Sequence, residues 1–288
     1  MFHPPLSRNQ IDPFVYCEWQ CDELGELVFI GLGLHDELGL SLRGQHEAES
    51  CDFVFLELYT SIMPGLHLDN LNKLVGKEVR VLSRRDVEED AEEVILSKAI
   101  SRKVGFLVPG DPMVATTHID LYLRAHKAGI RTRIVHAASV VSAAAGEMGL
   151  QTYKFGRTIT VPTSWQGEFP ESVYTTIKNN QALGLHSLVL LEIDTENKRH
   201  ISIAHALKQL SSISGKRSEN VINSETLVVG IARLEAPDMI VRAGTVAEVA
   251  QVDFGEPPFA LIFPGSLHFV EAEALYELCG ARKNLVNI

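Results

Sequence analysis

The chain has 288 residues and a formal net charge of −11, from 26 Lys and Arg against 37 Asp and Glu. At 45% hydrophobic and 22% charged it reads as globular, with one large domain or two ordinary ones and a core that needs no disulfide or metal staples. The acidic balance argues against a nucleic-acid-binding surface, and no apolar run approaches the roughly 18 residues of a membrane span.

Residues 1–26 stand apart from the rest. They hold three prolines, Cys17 and Cys21, and no sustained periodicity, so an N-terminal extension is expected there. The opening Met1-Phe2-His3-Pro4-Pro5-Leu6-Ser7-Arg8 has no charged segment followed by an apolar one, so no leader is expected. With few and scattered cysteines (Cys17, Cys21, Cys51, Cys279), free thiols in a cytoplasmic protein follow. Cys17, Cys21 and His3 lack the tidy second ligand pair of a structural zinc site, so no metal is expected.

Order begins at Leu27-Val28-Phe29-Ile30, a buried strand entering a turn at Gly31-Leu32-Gly33. Cys51–Leu56 is a second apolar strand. Ser83-Arg84-Arg85-Asp86 fits a capping box, with Val87, Ala91, Val94 and Ile95 following at helical spacing. Val104–Val108 is a strand closed by Pro109-Gly110-Asp111-Pro112. Ile119, Tyr122, Leu123 and His126 mark a helix face, and Ile130–Val135 a further strand. This alternation predicts a mainly parallel sheet covered by helices.

Beyond it, the alanine-rich Ser139–Gly149 suits a tightly packed helix at a domain junction. Strands are expected at Arg157–Val161, His186–Ile193, Thr226–Ala232, Met239–Arg242 and Phe259–Phe263. Helices are expected at Pro170–Gly184 and around Ile203, Leu207 and Leu210, with a last face of Leu267, Val270, Ala274 and Leu278. The expected organisation is an extension (1–26) and two α/β domains (27–136 and 137–288) of mainly parallel or mixed sheets, with a cleft between them.

Two turns invite a ligand. The Gly31-Leu32-Gly33 turn fails the dinucleotide fingerprint, because the third glycine position holds Asp36, and there is no phosphate-binding P-loop. Pro109-Gly110-Asp111-Pro112 places backbone amides and a carboxylate at the carboxyl edge of a sheet, where open α/β folds bind ligands. An ordinary turn explains either one alone.

Taken together, the strings carry a resemblance. Gly31-Leu32-Gly33-Leu34, Pro109–Pro112 with Val114-Ala115-Thr116-Thr117-His118, and Phe263-Pro264-Gly265 resemble the tetrapyrrole-methylase-type (class III) methyltransferases. Tyr59-Thr60-Ser61, Leu82-Ser83-Arg84 with Asp86, Tyr153-Lys154-Phe155-Gly156, Gly184-Leu185-His186 and Asp253-Phe254-Gly255 before Pro257-Pro258 are similar to the diphthine synthase branch. The resemblance spans about residues 27–288. It implies repeated methylation, by S-adenosylmethionine, of an amine on translation elongation factor 2, where a histidine carries a 3-amino-3-carboxypropyl group. It also implies a homodimer. By motif it places cofactor contacts at Leu34, Asp111, Val114, Ser139, Val140, Leu191, Leu234 and Phe259, the last standing where the family usually has histidine.

No strong general base stands out, and an α-amino group with a pKa of about 8 is already partly neutral near pH 7. Asp111 orients the amine or takes its proton, or else simply holds its turn. Tyr59 offers a π face to a quaternary ammonium or is a packing residue, and Glu57 beside it is a second-tier candidate. His118, His186 and His268 read as structural. The basic cluster Lys77, Arg80, Arg84 and Arg85 is a solvated surface, or meets the elongation factor or the substrate carboxylate. A corrin or ribosomal-RNA methyltransferase and a non-catalytic cofactor- or nucleotide-binding module are the alternatives, the RNA enzyme being disfavoured by charge.

Overall fold

The computed structural model describes residues 25–163 and 169–287. The extension expected over residues 1–26 lies almost entirely outside these, as do His3, Cys17 and Cys21. In the first half the order is β1 (Glu26–Gly31), α1 (Leu42–Ser50), β2 (Phe53–Glu57), α2 (Leu68–Val75), β3 (Val79–Leu82), α3 (Arg84–Glu88), a π-helical turn (Glu92–Leu96) running into α4 (Ser97–Ala99), β4 (Lys103–Val108), α5 (Ile119–Lys127) and β5 (Arg131–Val135).

These strands form one all-parallel sheet in the order β3-β2-β4-β1-β5. The central β1 and β4 are near-continuous apolar runs because both faces are covered. Alternation then decides the layers. Leu27, Phe29, Val104 and Phe106 face the α5 side, where Phe29 and Phe106, opposite in register, meet edge to face at 5.8 Å. Val28, Ile30, Leu56 and Leu107 face α1 and α2. β1 leads to β2 on one side and β4 to β5 on the other. The adjacent carboxyl ends of β1 and β4 are therefore a topological switch point, where a crevice opens.

The second half runs α6 (Val140–Glu147), β6 (Ile159–Val161), α7 (Glu171–Ala182), β7 (Ser187–Leu191), a short hairpin of β8 (Ile193–Asp194) and β9 (Arg199–His200), α8 (Ile203–Arg217), β10 (Leu227–Ala232), β11 (Ile240–Thr245), α9 (Val246–Val249), β12 (Phe259–Phe263), α10 (Phe269–Cys279) and α11 (Lys283–Val286). Its five-stranded sheet, β11-β10-β12-β7-β6, is mostly antiparallel, with only β6 and β7 parallel. One face packs on α7 and α8 through Tyr174, Ile177 and Leu207, the other on α6 and α10 through Ala144, Met148 and Leu275.

Three sequence expectations need correction. The helix expected across Val87–Ile95 is interrupted after Glu88, and the chain continues through the π turn. On α5 the buried residues are Leu121 and Ala125, while Ile119 and Leu123 stay exposed. On α10 the core face is Glu271, Ala272, Leu275 and Cys279, leaving Val270 and Leu278 exposed. On both helices the apolar spacing fits a 3.6 period in more than one phase, and packing selects the other phase.

Candidate active site

The two turns singled out in the sequence are bonded to each other. The Gly33 amide donates to the Gly110 carbonyl at 3.2 Å, and the Gly110 amide returns to the Gly33 carbonyl at 2.7 Å. Both residues have positive φ, +76° and +69°. A Cβ on Gly31 would stand 2.6 Å from the Gly110 carbonyl oxygen, so the approach requires glycine. The switch point is thus closed at its base by backbone.

Above this base lies a cleft of about 480 Å³. Leu34, Asp111, Val114, Ser139, Val140, Leu191, Leu234 and Phe259 all line it, as does Tyr59. The first sheet contributes the loops after β1, β2 and β4. The second contributes the end of β7 and the start of β12, where Leu191 and Phe259 are paired in register. Ser139, 7% exposed, is the N-cap of α6 but makes no side-chain cap bond, so the first amides of that helix and the hydroxyl are not bonded to each other.

Asp111 is fully engaged by its own surroundings. Oδ1 accepts from the Met113 amide at 3.0 Å, while Oδ2 meets His136 Nδ1 at 2.7 Å and the Ala137 amide at 3.3 Å. This carboxylate ties the turn after β4 to the segment after β5.

A second, buried network supports the loop after β2. Glu57 accepts from the amides of Tyr59 and Thr60, each at 3.0 Å, and from the Thr60 hydroxyl. Burial holds the Glu57 carboxyl above the ordinary carboxylate range despite these bonds. His118 Nδ1 bonds the Pro112 carbonyl at 3.2 Å, leaving Nε2 facing the Tyr59 hydroxyl at 3.5 Å and Glu57 Oε1 at 3.8 Å. Burial pushes His118 down to about 4, so its ring is neutral near pH 7. Burial, then the Glu57 charge, pushes the Tyr59 phenol far up, so Tyr59 is a neutral ring rather than a base. The Arg84 guanidinium lies 5.2 Å from its centroid.

Several contributors are silent in the sequence. Arg233, after β10, lines the cleft with its own φ at +51°. Its guanidinium donates to the carbonyls of Phe254 (2.6 Å), Glu256 and Asp238 (2.9 Å) and to the Asp238 carboxylate (2.7 Å), while its amide donates to the Pro258 carbonyl. One side chain therefore shapes the approach to Phe259. The Phe259 ring turns into the core of the second sheet, 5.9 Å from the His200 ring. Its backbone pairs with Leu191 and Ala232.

The remaining strings are structural. His186 Nε2 bonds Glu271 at 3.0 Å, and its Nδ1 accepts from the Gly265 amide at 2.9 Å. Glu271 also takes Lys154 and the amides of Gln151 and His268. One buried carboxylate thereby joins Tyr153–Gly156, Gly184–His186 and Phe263–Gly265. His268 caps α10. The three histidines read as structural do have structural partners. Among the described residues no cluster of three metal-ligating side chains occurs, and no helix is long and apolar enough to cross a membrane.

Known proteins resemble this chain in sequence and fold. The model of the tetrapyrrole (corrin/porphyrin) methylases matches residues 26–250. A diphthine synthase of Methanothermobacter thermautotrophicus is 43% identical over 260 residues, 90% of this chain and 98% of that protein. One from Methanosarcina mazei is 43% identical over 265 residues, again 90% and 98%. A crystal structure of diphthine synthase superposes with a TM-score of 0.81 at 32% identity, covering 91% of this chain and 99% of that one. Likeness over nearly the full length of both proteins places the chain in the tetrapyrrole methylase family and, within it, among the diphthine synthases.

Proposed function

We propose that this chain is an S-adenosylmethionine-dependent N-methyltransferase of diphthamide biosynthesis. It repeatedly methylates the amine of the 3-amino-3-carboxypropyl-histidine on elongation factor 2, giving diphthine. The observation that carries this reading is that the eight residues expected to hold the cofactor, drawn from both halves of the chain, line one cleft.

The cleft suits the cofactor chemically. Its volume falls within the range of small-molecule sites, and Leu34, Val114, Val140, Leu191 and Leu234 give it apolar walls for an adenosine, with Phe259 contributing at its backbone. Ser139 and the amides opening α6 offer polar contacts, as do the paired glycine turns. When bound, the cofactor supplies a methyl group on a sulfonium, which a neutral amine displaces in line. The protein's part is to align that amine and exclude water. The Asp111 carboxylate, bound by two amides and His136, holds the wall rather than taking the proton. An amine that is partly neutral near pH 7 can release it to solvent.

A homodimer is part of the proposal. Val270, Leu278 and Phe269 on α10 and Val141 on α6 form exposed apolar surface of the kind a second copy covers. The chain acts in the cytoplasm, alongside the translation factor it modifies. Label transferred from methyl-labelled S-adenosylmethionine to precursor-bearing elongation factor 2 tests this reading. Cofactor binding without transfer would point to a non-catalytic module, and transfer to a precorrin or ribosomal RNA would overturn the acceptor.

A further inference from the structure

Arg84 is the first residue of α3, set at the cleft wall by a capping box. Ser83 Oγ accepts from the Asp86 amide, and the Asp86 carboxylate accepts from the Ser83 amide at 2.8 Å. Its guanidinium lies over the buried Tyr59 ring, 5.2 Å from the centroid; the Tyr59 hydroxyl faces His118 and its backbone amide donates to Glu57. Among the described residues no carboxylate lies within the 4 Å of an ion pair with it. This includes Glu88, one turn on, which lines the same cleft. Arg85, its neighbour, differs. It points to Asp90 at 3.1 Å and Glu89 at 3.7 Å, just past the end of α3, and its charge is answered there.

The acceptor proposed above ends in an amino acid head, a carboxylate on the carbon that bears the reacting amine. We infer that Arg84 binds this carboxylate and, with Tyr59 beneath it, aims the amine into the cleft. The inference rests on the proposed function. A planar guanidinium presents paired N–H donors matched to a carboxylate, and its contact with the ring holds it at the cleft wall. Glu57 and Asp194 lie within coulombic reach of Arg84 without forming an ion pair with it, and a cation so placed at the cleft favours entry of a carboxylate over other side chains. Arg84 is in this account a specificity-determining residue; it takes no proton and forms no bond.

The test uses the full chain, S-adenosylmethionine and elongation factor 2 carrying the aminocarboxypropyl-histidine. Arg84→Gln is expected to raise the KM for the factor at least tenfold, with cofactor affinity by calorimetry unchanged within twofold. Arg84→Lys is expected to recover part of the loss. Arg85→Gln, which removes the same charge one residue away, is expected to shift KM less than threefold. Equal KM values for Arg84→Gln and the unaltered protein would overturn the assignment, as would equal losses for Arg84→Gln and Arg85→Gln, the mark of general charge steering. If the unaltered protein binds cofactor yet transfers no methyl to the factor, the functional reading fails and this one falls with it.

Discussion

The hydroxyl of Tyr59 faces Nε2 of His118 at 3.5 Å in a site where both side chains are buried. The contact joins the loop after β2 to the loop after β4, so two walls of the cleft are set by one pair. His118→Leu keeps the volume but strands the Tyr59 hydroxyl, while the Pro112 carbonyl keeps only the Thr116 hydroxyl. It should cost about 1–3 kcal/mol of stability. A lower denaturant midpoint at an unchanged m-value would check this.

The mutual amide bonds of Gly33 and Gly110 make a second prediction. Gly31→Ala drives a methyl group against the Gly110 carbonyl and the Ala137 side chain. The two turns must part, so cofactor affinity by calorimetry should fall at least tenfold. Far-ultraviolet circular dichroism should stay unchanged, because the first sheet does not depend on those two bonds.

Asp111→Ala removes the link from the turn after β4 to His136 and Ala137. Cofactor binding should weaken at least tenfold. Asp111→Asn, which still accepts from the Met113 amide, should lose less. On the proposed role, in which the carboxylate holds the turn, the pH profile of kcat in Asp111→Asn should keep the shape of the unaltered protein.

Much of this was legible before any coordinates. The apolar runs of β1 and β4 and the glycine turns that end them specify a parallel sheet and its carboxyl-edge site by local chemistry alone. The eight residues that motif resemblance singles out for the cofactor line one cleft in the structure. What stayed hidden depends on tertiary partners. Arg233 is an ordinary arginine until Phe254, Glu256 and Asp238 fold around it. Glu271 reads as a solvent-facing helix position until His186 and Lys154 arrive from more than eighty residues away. The buried face of α10 departs from its apolar spacing for the same reason. A buried Glu breaks the apolar pattern that assigns a face, and only its remote partners explain its place inside.

That carboxylate sets an acid limit. Burial alone would raise Glu271, but bonds from the His268 amide, Lys154, the Gln151 amide and His186 overcome it and hold the group at about 2, against 4.5 unperturbed. As pH falls from 4.5 toward 2, the unfolded chain takes up a proton that the folded chain refuses. The stabilisation is therefore present above 4.5 and lost below it, with a size up to about 3 kcal/mol. His186, kept neutral by burial, acts in the same direction as pH falls below 6.5. Glu271→Gln should lower stability at pH 7 by about 3 kcal/mol, because Lys154 loses its buried partner. It should also flatten the pH dependence of the unfolding midpoint between pH 5 and 3 relative to the unaltered protein.

The most direct measurement is the intact mass of elongation factor 2 carrying the aminocarboxypropyl-histidine, taken before and after incubation with this protein and S-adenosylmethionine. The account predicts stepwise addition of whole methyl groups, confined to that modified histidine and absent when the precursor group is missing. A factor of unchanged mass, in a reaction where the protein demonstrably binds the cofactor, would contradict it.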